Sequence, residues 1–193
     1  MGLSIIKSNH FTTSNWLGGT TTELYIFPQT SSYQKRDFKF RLSSATVEVE
    51  ISTFTALPGI SRKLMILSGS ITISHKGKYA KPLNIFEIDE FSGDWETSSE
   101  GMCTDFNLMT RGTALGNIRP VQVAESQSII SKIKDNCDWF FIYNYSGEVK
   151  ININNENYTL QKGDLLAIKE LTFQNIEIIG LKNSELAIAE ITL

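Results

Sequence analysis

The sequence predicts an all-β protein of antiparallel strands, arranged as a sandwich, barrel or jelly roll. Short runs rich in Ile, Leu, Val, Phe, Tyr and Thr recur along the 193 residues, separated by Gly, Asn, Asp and Pro. No long amphipathic helix is evident, and strands do not alternate with helices as they do in a parallel α/β fold. A hairpin motif also occurs twice, which indicates an internally repeated architecture.

The candidate strands follow one another at short spacing. In the first half of the chain they are Glu23–Phe27, Phe38–Val47, Leu64–Leu67, Ser70–His75 and Ile85–Ile88. In the second half they are Phe140–Tyr145, Glu148–Ile153, Leu165–Ile168, Phe173–Ile179 and Leu186–Ile191. The best candidate for a short helix is Ala124–Lys132. Many short strands of this kind are typical of sandwiches and jelly rolls.

The strand Phe38–Val47 carries a charge where its pattern leads one to expect none. One face is apolar and consists of Phe38, Phe40 and Leu42. The other face begins with Arg41 and continues with Ser43 and Ala45. A buried guanidinium is costly unless a carboxylate or an anionic ligand pairs with it. This face therefore predicts a polar pocket.

The repeated motif suggests two similar halves. Leu67–Ile73 resembles Tyr145–Ile151: in both, Ser-Gly leads into a strand, and a polar hairpin and a further apolar strand follow. The second copy also carries the turn Lys162-Gly163-Asp164. This succession is typical of cupin barrels. We therefore expect a two-lobed, cupin-like (bicupin) antiparallel jelly roll or barrel, with lobes at residues 1–115 and 116–193 packed as one compact unit.

Composition excludes several classes of function. Hydrophobic residues make up 41%, charged residues 20%, and the net charge is −3, so a general nucleic-acid role has no electrostatic support. No apolar run approaches the ~18 residues of a membrane span, and the N-terminal residues lack the core of a signal peptide. Cys103 and Cys137 match no metal or redox spacing. Reduced thiols in a cytoplasmic protein are expected.

The supply of histidine limits the metal and catalytic chemistry. Only His10 and His75 are present, and each stands alone, so a histidine-rich transition-metal site is not expected. A carboxylate-only site for Mg²⁺ or Ca²⁺ stays open. No Ser-His-Asp or Cys-His arrangement is plausible. We expect no metal and no cofactor.

Polar candidates cluster at three further places. Gly18-Gly19 and three threonines precede Glu23 and the strand it begins, but no Gly-Lys-Ser/Thr follows, so this is not a P-loop. Arg62 follows a Pro-Gly turn and is either a solvated charge or a second pocket cation. In Asp105–Met109, the aspartate, Asn107 and Met109 share one face. Asp105 is either edge decoration or the carboxylate partner of Arg41.

Taken in order, these motifs resemble the HutD/Ves family of bacterial cupin-like proteins. They cover roughly residues 14–111 and are Trp16-x-Gly18-Gly19-x-Thr21/Thr22-Glu23, Phe27-Pro28, Asp37-Phe38-x-Phe40-Arg41-Leu42-Ser43-x-Ala45-x-Val47, Phe54-Thr55-x-Leu57-Pro58-Gly59-Ile60-x-Arg62, Phe91-x-Gly93-Asp94 and Asp105-Phe106-Asn107-Leu108-Met109-Thr110-Arg111. The resemblance implies a bicupin fold without the usual histidine metal site.

The resemblance also implies a functional context. HutD members are associated with histidine utilisation and with regulatory binding of a small pathway intermediate, and Ves-type members with stress and cold. This sequence departs from the family pattern at Phe40, where tryptophan is frequent, and at Thr55-Ala56, which replaces Ser-x. Both changes lie beside the predicted pocket, so the identity of the ligand does not carry over.

The sequence thus favours a metal-free binding protein for a small anionic carboxylate metabolite over an enzyme. Arg41 would bind the carboxylate, Arg62 would be a second cation, and Glu23 and Asp105 would orient the arginines or accept from the ligand. Side-chain hydrogen bonds would complete the site. The predicted ligand-binding residues are Thr22, Glu23, Arg41, Ser43, Arg62, Asp105 and Asn107. Through the resemblance, such a pocket suits urocanate or formylated glutamate.

Two alternatives stay open at this stage. One is an isomerase or lyase acting on a small acid, with Glu23 or Asp105 as general base and Arg41 stabilising an oxyanion. The other is a structural or protein-interaction module in which Arg41, Glu23 and Asp105 form a closed internal network of salt bridges. Edge strands in such folds favour pairing between chains, so a homodimer is expected, with no nucleic acid or membrane as partner.

Overall fold

The computed structural model describes residues 2–193, which form nineteen β-strands and a single turn of 3-10 helix at Ser8–His10, with no α-helix. The strands are β1 (Gly2–Ile6), β2 (Thr12–Trp16), β3 (Gly19–Phe27), β4 (Phe40–Val47), β5 (Ile51–Thr53), β6 (Ile60–Gly69), β7 (Ile71–His75), β8 (Tyr79–Leu83), β9 (Ile88–Ser92), β10 (Thr97–Glu100), β11 (Cys103–Arg111), β12 (Leu115–Val123), β13 (Ser128–Lys132), β14 (Trp139–Ser146), β15 (Glu148–Ile153), β16 (Glu156–Gln161), β17 (Leu165–Lys169), β18 (Asn175–Gly180) and β19 (Ser184–Thr192). The all-β prediction is confirmed.

The chain divides into two compact units. The N-terminal unit is Thr12–Leu115, and the C-terminal unit is Gly116–Leu193 together with the first residues up to Phe11. No helix long and apolar enough to cross a membrane occurs in residues 2–193.

The N-terminal unit consists of a six-stranded and a four-stranded antiparallel sheet, with strand orders β2-β3-β4-β11-β6-β9 and β5-β10-β7-β8. Alternation of apolar and polar residues along these strands gives each sheet an inward apolar face. Side chains from both sheets form one buried cluster: Val47, Leu64, Ile66, Ile71, Ile73, Leu83, Phe91 and Cys103. A second cluster contains Ile26, Phe38, Leu57, Ile60 and Met109.

The C-terminal unit repeats this plan. Its sheets have the orders β1-β17-β14-β19-β12 and β13-β18-β15-β16. Adding eight to each strand number turns β4-β11-β6-β9 into β12-β19-β14-β17 and β5-β10-β7-β8 into β13-β18-β15-β16. The strands β2 and β3 of the N-terminal unit and β1 of the C-terminal unit lie outside this correspondence. The core of the unit is a large apolar cluster that includes Phe140, Ile142, Leu166, Leu186 and Ile188.

The repeated Ser-Gly motif has a structural cause. Gly69 is the last residue of β6, just before β7, with φ of +76°, and Gly147 lies between β14 and β15 with φ of +79°. A side chain at these positions would collide with the carbonyl oxygens of Met102 and Asn183, respectively. Both tight connections therefore require glycine.

The N-terminal strand lies in a different unit from the one that the sequence predicted. The predicted boundary at residues 115 and 116 placed it in the first lobe, but β1 pairs with β17, with Ser4 opposite Ala167. Lys7 strengthens this attachment, because its Nζ lies 2.7 Å from Oδ2 of the buried Asp164. Pairing between strands this distant in sequence leaves no signal in local periodicity.

Two local predictions, and the barrel alternative of the predicted jelly roll or barrel, differ from the structure. Ser128–Lys132, within the predicted helix Ala124–Lys132, is the strand β13, because the β-branched pair Ile129-Ile130 suits a strand paired with β18. The predicted strand Ile85–Ile88 is mostly a turn, and β9 begins only at Ile88. No barrel closes among the described strands, since each sheet ends in two different edge strands.

Candidate functional site

A cavity of about 410 Å³ lies within the N-terminal unit. The edge strand β2 and the segments at residues 33–34 and 52–55 form part of its wall. Its charged side chains and the amide of Asn107 come from the central strands β4, β6 and β11. They are Arg41, Arg62, Asp105 and Asn107.

Strand register brings these side chains together. Met109 of β11 lies opposite Arg41 of β4 on one side and opposite Arg62 of β6 on the other, so the two arginines flank it on one face. Two residues along β11, Asn107 lies opposite Ser43. Because side chains alternate between faces, all of these point to the cavity side of the sheet.

Arg41 has partners from the protein itself. Its Nε donates to Oε2 of Glu23 at 2.7 Å, and its Nη1 donates to Oγ of Ser43 at 3.0 Å. The guanidinium carbon lies 4.7 Å from the ring centroid of Tyr33. The side chain of Arg41 is buried, and its charge is compensated by the partly exposed Glu23.

Arg62 lacks such compensation. Its side chain is buried, its Nη2 is 3.5 Å from Oδ1 of Asn107, and its Nε has no hydrogen-bond partner among the described residues. The rings of Phe54 and Phe91 lie 4.9 and 5.0 Å from its guanidinium carbon. Burial lowers the pKa of Arg62 to about 10, opposed by Tyr33 and Asp105, so the group stays cationic at neutral pH.

Asp105 titrates near neutrality. Its side chain is buried, and Nδ2 of Asn107 donates a short hydrogen bond to its Oδ1. Burial raises the pKa of Asp105 to about 7, although the charge of Arg62 and a hydrogen bond from the Ala45 amide act in the opposite direction. A buried carboxyl group with this pKa can hold or release a proton under physiological conditions.

The structure brings most of the predicted site residues to the cavity. Glu23 is outside the lining but holds Arg41, so the partner of Arg41 is Glu23 and not Asp105. Thr22 is on the other face of β3, where its hydroxyl pairs with that of Thr13 at 2.8 Å, and Thr21 lines the cavity instead. Five predicted residues do line it: Arg41, Ser43, Arg62, Asp105 and Asn107.

Sequence reasoning missed the aromatic part of the site. Tyr33 and Phe54 lie against the two guanidiniums, and Trp16 of β2 contributes to the cavity wall. Phe54 could have been found because it begins one of the motifs that carry the family resemblance. Tyr33 lies in a polar loop without periodicity, and nothing in the sequence marks it.

The C-terminal unit has apolar residues at the matching positions. Arg62 and Phe140 each lie seven residues before the glycine of the repeated motif. Leu64 and Ile142 each lie five residues before that glycine. Asn107 lies opposite Leu64, and Ile188 lies opposite Ile142, so Ile188 occupies the position that matches Asn107. Phe140 and Ile188 are both part of the apolar core. The polar cluster is therefore specific to the N-terminal unit.

Metal-ligating side chains are not grouped. No cluster of three or more His, Cys, Asp or Glu side chains able to hold a metal ion occurs in residues 2–193. The two cysteines are unpaired.

Comparison with solved structures defines the class of the protein. A conserved protein of unknown function from Pseudomonas aeruginosa PAO1 matches with a TM-score of 0.84 and 20% identity, over 100% of both chains. HutD from Pseudomonas fluorescens SBW25 matches with a TM-score of 0.75 and 21% identity, over 99% of this chain and 98% of that one. YhhW from Escherichia coli matches with a TM-score of 0.73 and 11% identity, over 98% of this chain and 97% of that one. The fold is therefore that of the all-β, cupin-like proteins.

The family follows from the sequence. The model of the HutD family matches residues 8–186, nearly the whole chain, and the chain belongs to that family. The resemblance drawn from the motifs is thereby confirmed. No curated protein matches the sequence.

Proposed function

We propose that the cavity of the N-terminal unit binds a small carboxylate metabolite, with Arg62 as the principal cation and Arg41 beside it. The observation that carries this proposal is the buried Nε of Arg62, which has no hydrogen-bond partner among the described residues. Leaving a buried donor unpaired costs about 1–3 kcal/mol, and more for a charged group. An anion in the cavity would offset that cost.

The chemistry of the wall suits a carboxylate. A guanidinium presents its donors as a planar fork that matches the two oxygens of a carboxylate. The volume of about 410 Å³ lies within the range of small-molecule sites. Tyr33, Phe54 and Trp16 supply aromatic surface for a planar or apolar ligand body.

The family gives the proposal a biological direction. One of the similar structures is HutD recorded in a formate condition, and formate is the smallest carboxylate. Family resemblance favours urocanate or a formylated glutamate as ligand and a regulatory role in histidine utilisation or stress. We include a two-lobed bicupin organisation, a cytoplasmic location and a homodimer in this proposal. The matching strand orders support the first of these, and the unpaired cysteines are consistent with the second.

A thermal-shift screen tests the proposal. Urocanate, histidine, glutamate, formylglutamate and trans-cinnamate would be added to the whole chain, since binding to the native state alone raises the melting temperature. We expect at least one acid to raise it, and expect Arg62→Gln and Arg41→Ala to abolish the shift. Arg111→Ala, at an exposed arginine on β11, is the matched control and should retain it.

Two results would count against this function. If no acid stabilises the protein, the result favours a structural or protein-interaction role, in which Arg41 and Glu23 form an internal ion pair. If the stabilisation survives both Arg62→Gln and Arg41→Ala, the acid binds elsewhere.

The position of Asp105 favours a second candidate function, catalysis by an isomerase or lyase of a small acid. Asp105 would remove a proton from the carbon next to the carboxylate, and Arg62 would stabilise the charge that develops on oxygen. Glu23 suits the role of base less well, because it already neutralises Arg41. Product formation from a bound acid, followed by proton NMR and lost in Asp105→Asn, would favour catalysis over binding alone.

A further inference from the structure

Asn107 separates a cation from a carboxyl group inside the cavity. Its Oδ1 faces Nη2 of Arg62 at 3.5 Å, and its Nδ2 donates to Oδ1 of Asp105. Within the described residues Arg62 and Asp105 form no direct ion pair. The amide therefore keeps the edge of Arg62 free for a ligand and leaves Asp105 near this cation but without a direct ion pair.

The charged and titratable groups around Asp105 come from β3, β4, β6, β11 and the loop before β4. Arg62 faces it from β6, and Arg41 lies on β4 with its charge compensated by Glu23 of β3. Tyr33 interacts with Arg62 from the loop before β4, and Cys103 lies two residues away on β11. Burial, together with the charge of Asp105, raises the pKa of the Cys103 thiol to about 12, so that thiol is neutral. The net charge of this group is thus near zero when Asp105 is ionised and near +1 when it is protonated.

We propose that the cavity takes up a singly charged carboxylate together with one proton, and that Asp105 holds this proton. The inference rests on the proposed function. A carboxylate bound at Arg62 would lie close to the carboxyl of Asp105, and two like charges in a buried site do not both stay ionised. Protonated Asp105 no longer repels the ligand, and its hydroxyl becomes a donor.

The net charge of these cavity groups favours a ligand with a single carboxylate. A monocarboxylate is balanced by Arg62 once Asp105 is protonated. A dicarboxylate needs a second uncompensated cation, and Arg41 is already paired with Glu23. The cavity is therefore expected to prefer a monocarboxylic acid with a planar body, which can lie against Phe54 and Tyr33, over a dicarboxylic acid of similar shape.

A dependence on pH follows. In the empty cavity burial places the pKa of Asp105 at about 7, and a bound anion raises it further. Between these two values binding is accompanied by proton uptake, so affinity falls as pH rises, by up to about tenfold per pH unit. Below the pKa of the empty site Asp105 is already protonated, and affinity no longer depends on its titration.

The test is calorimetric titration of the whole chain with trans-cinnamate, whose single carboxylate stays ionised over the pH range used. Titrations at pH 7.5 in two buffers of different ionisation enthalpy give the number of protons taken up. We expect net uptake of more than half a proton, and affinity about tenfold weaker at pH 8 than at pH 6. 4-Carboxycinnamate, the matched dicarboxylate, should bind at least tenfold more weakly at pH 7.5.

Variants distinguish the protonation of Asp105 from the binding of the carboxylate. Asp105→Asn places a neutral group where the protonated acid would be, so it should bind trans-cinnamate about tenfold more tightly than wild type at pH 8 and lose the pH dependence. Glu96→Gln removes an exposed carboxylate and should keep the wild-type dependence of trans-cinnamate affinity on pH. If Asp105→Asn does not fold, proton uptake by the wild-type protein still decides the question.

The outcomes distinguish the two proposals. Binding of trans-cinnamate without proton uptake, and with equal affinity at pH 6 and pH 8, would overturn the coupling to Asp105 and leave the carboxylate site standing. Equal affinity for the matched dicarboxylate would overturn the preference for a single charge. A complete lack of binding at pH 6 would count against the carboxylate site itself, and the coupling would fall with it.

Discussion

Glu23 and Arg41 form an ion pair across two neighbouring strands, with Nε of Arg41 2.7 Å from Oε2 of Glu23. Glu23 lies opposite Ser43 in the register, and the pairing shifts between Glu23 and Tyr25. The pair accounts for the charge of Arg41, whereas Nε of Arg62 has no hydrogen-bond partner among residues 2–193. The two arginines are therefore unequal: the charge of Arg41 is largely compensated by Glu23, whereas Arg62 lines the cavity with an unpaired donor.

Removal of the carboxylate from this pair should destabilise the protein. In Glu23→Gln the buried guanidinium of Arg41 loses its compensating charge, and we expect unfolding free energy to fall by about 1–2 kcal/mol, a value kept small because Glu23 is partly exposed. Urea unfolding at pH 7 measures it. Glu96→Gln removes half of the exposed pair with Lys76 and should change stability by less than about 0.5 kcal/mol. Equal effects would mean that the inner pair contributes no more than a surface pair.

Replacement of Arg62 should have the opposite effect on stability. Arg62→Met keeps the apolar stem but removes a buried cation with an unpaired donor, so the unfolding free energy should stay the same or rise by up to about 2 kcal/mol. Carboxylate-dependent stabilisation should disappear at the same time. Urea unfolding with and without trans-cinnamate measures both. A loss of more than about 2 kcal/mol without ligand would mean that Arg62 holds the fold together.

Stability should also depend on pH through Asp105. Its folded-state pKa of about 7 lies above the ordinary value of about 4, so between these values the folded state binds more protons than the unfolded state. Stability from this group is therefore lost as pH rises from about 4 to 7. Asp105→Asn cannot ionise and should exceed wild type in stability by a few kcal/mol at pH 8, but by less at pH 5. Urea midpoints at both values check this, and a constant difference would contradict it.

Local alternation was enough to predict one wall of the cavity. In β4 and β11 side chains alternate between faces, so Arg41 and Ser43, and likewise Asp105 and Asn107, could be placed together from the sequence. The repeated Ser-Gly motif likewise predicted a repeated topology. Both signals are short-range, because each depends on residues within one strand or one turn.

Long-range pairing could not be predicted in this way. The choice of Glu23 over Asp105 as the partner of Arg41 depends on the register of β3 against β4, which alternation alone does not fix. The pairing of β1 with β17 joins opposite ends of the chain. Tyr33 reaches the cavity from a loop, where side-chain direction has no period. These contacts are set by tertiary packing.

The N-terminal unit contains a second buried aspartate, Asp89, in a cluster of its own. Its carboxylate accepts from Nε2 of His75 at 2.7 Å and from the hydroxyl of Tyr79 at 3.1 Å, and Lys81 Nζ lies 2.6 Å away. The other ring nitrogen of His75 pairs with the hydroxyl of Thr97 at 2.8 Å. Burial alone would raise the pKa of Asp89, but the hydrogen bonds from Lys81, His75 and Tyr79 lower it on balance.

Asp89→Asn should therefore be costly at neutral pH, by about 2–4 kcal/mol, because it leaves the donors of His75 and Lys81 without a charged acceptor. A depressed folded-state pKa contributes stability above the ordinary value of about 4 and loses it as pH falls through the folded value. The difference in unfolding free energy between wild type and Asp89→Asn should therefore be largest at pH 7 and should decrease below about pH 4. Glu90→Gln, at the exposed neighbour on β9, is the control and should cost less than about 1 kcal/mol. Urea unfolding at pH 7 and pH 3 measures both, and a gap that stays constant on acidification would show that packing, and not charge, holds this cluster together.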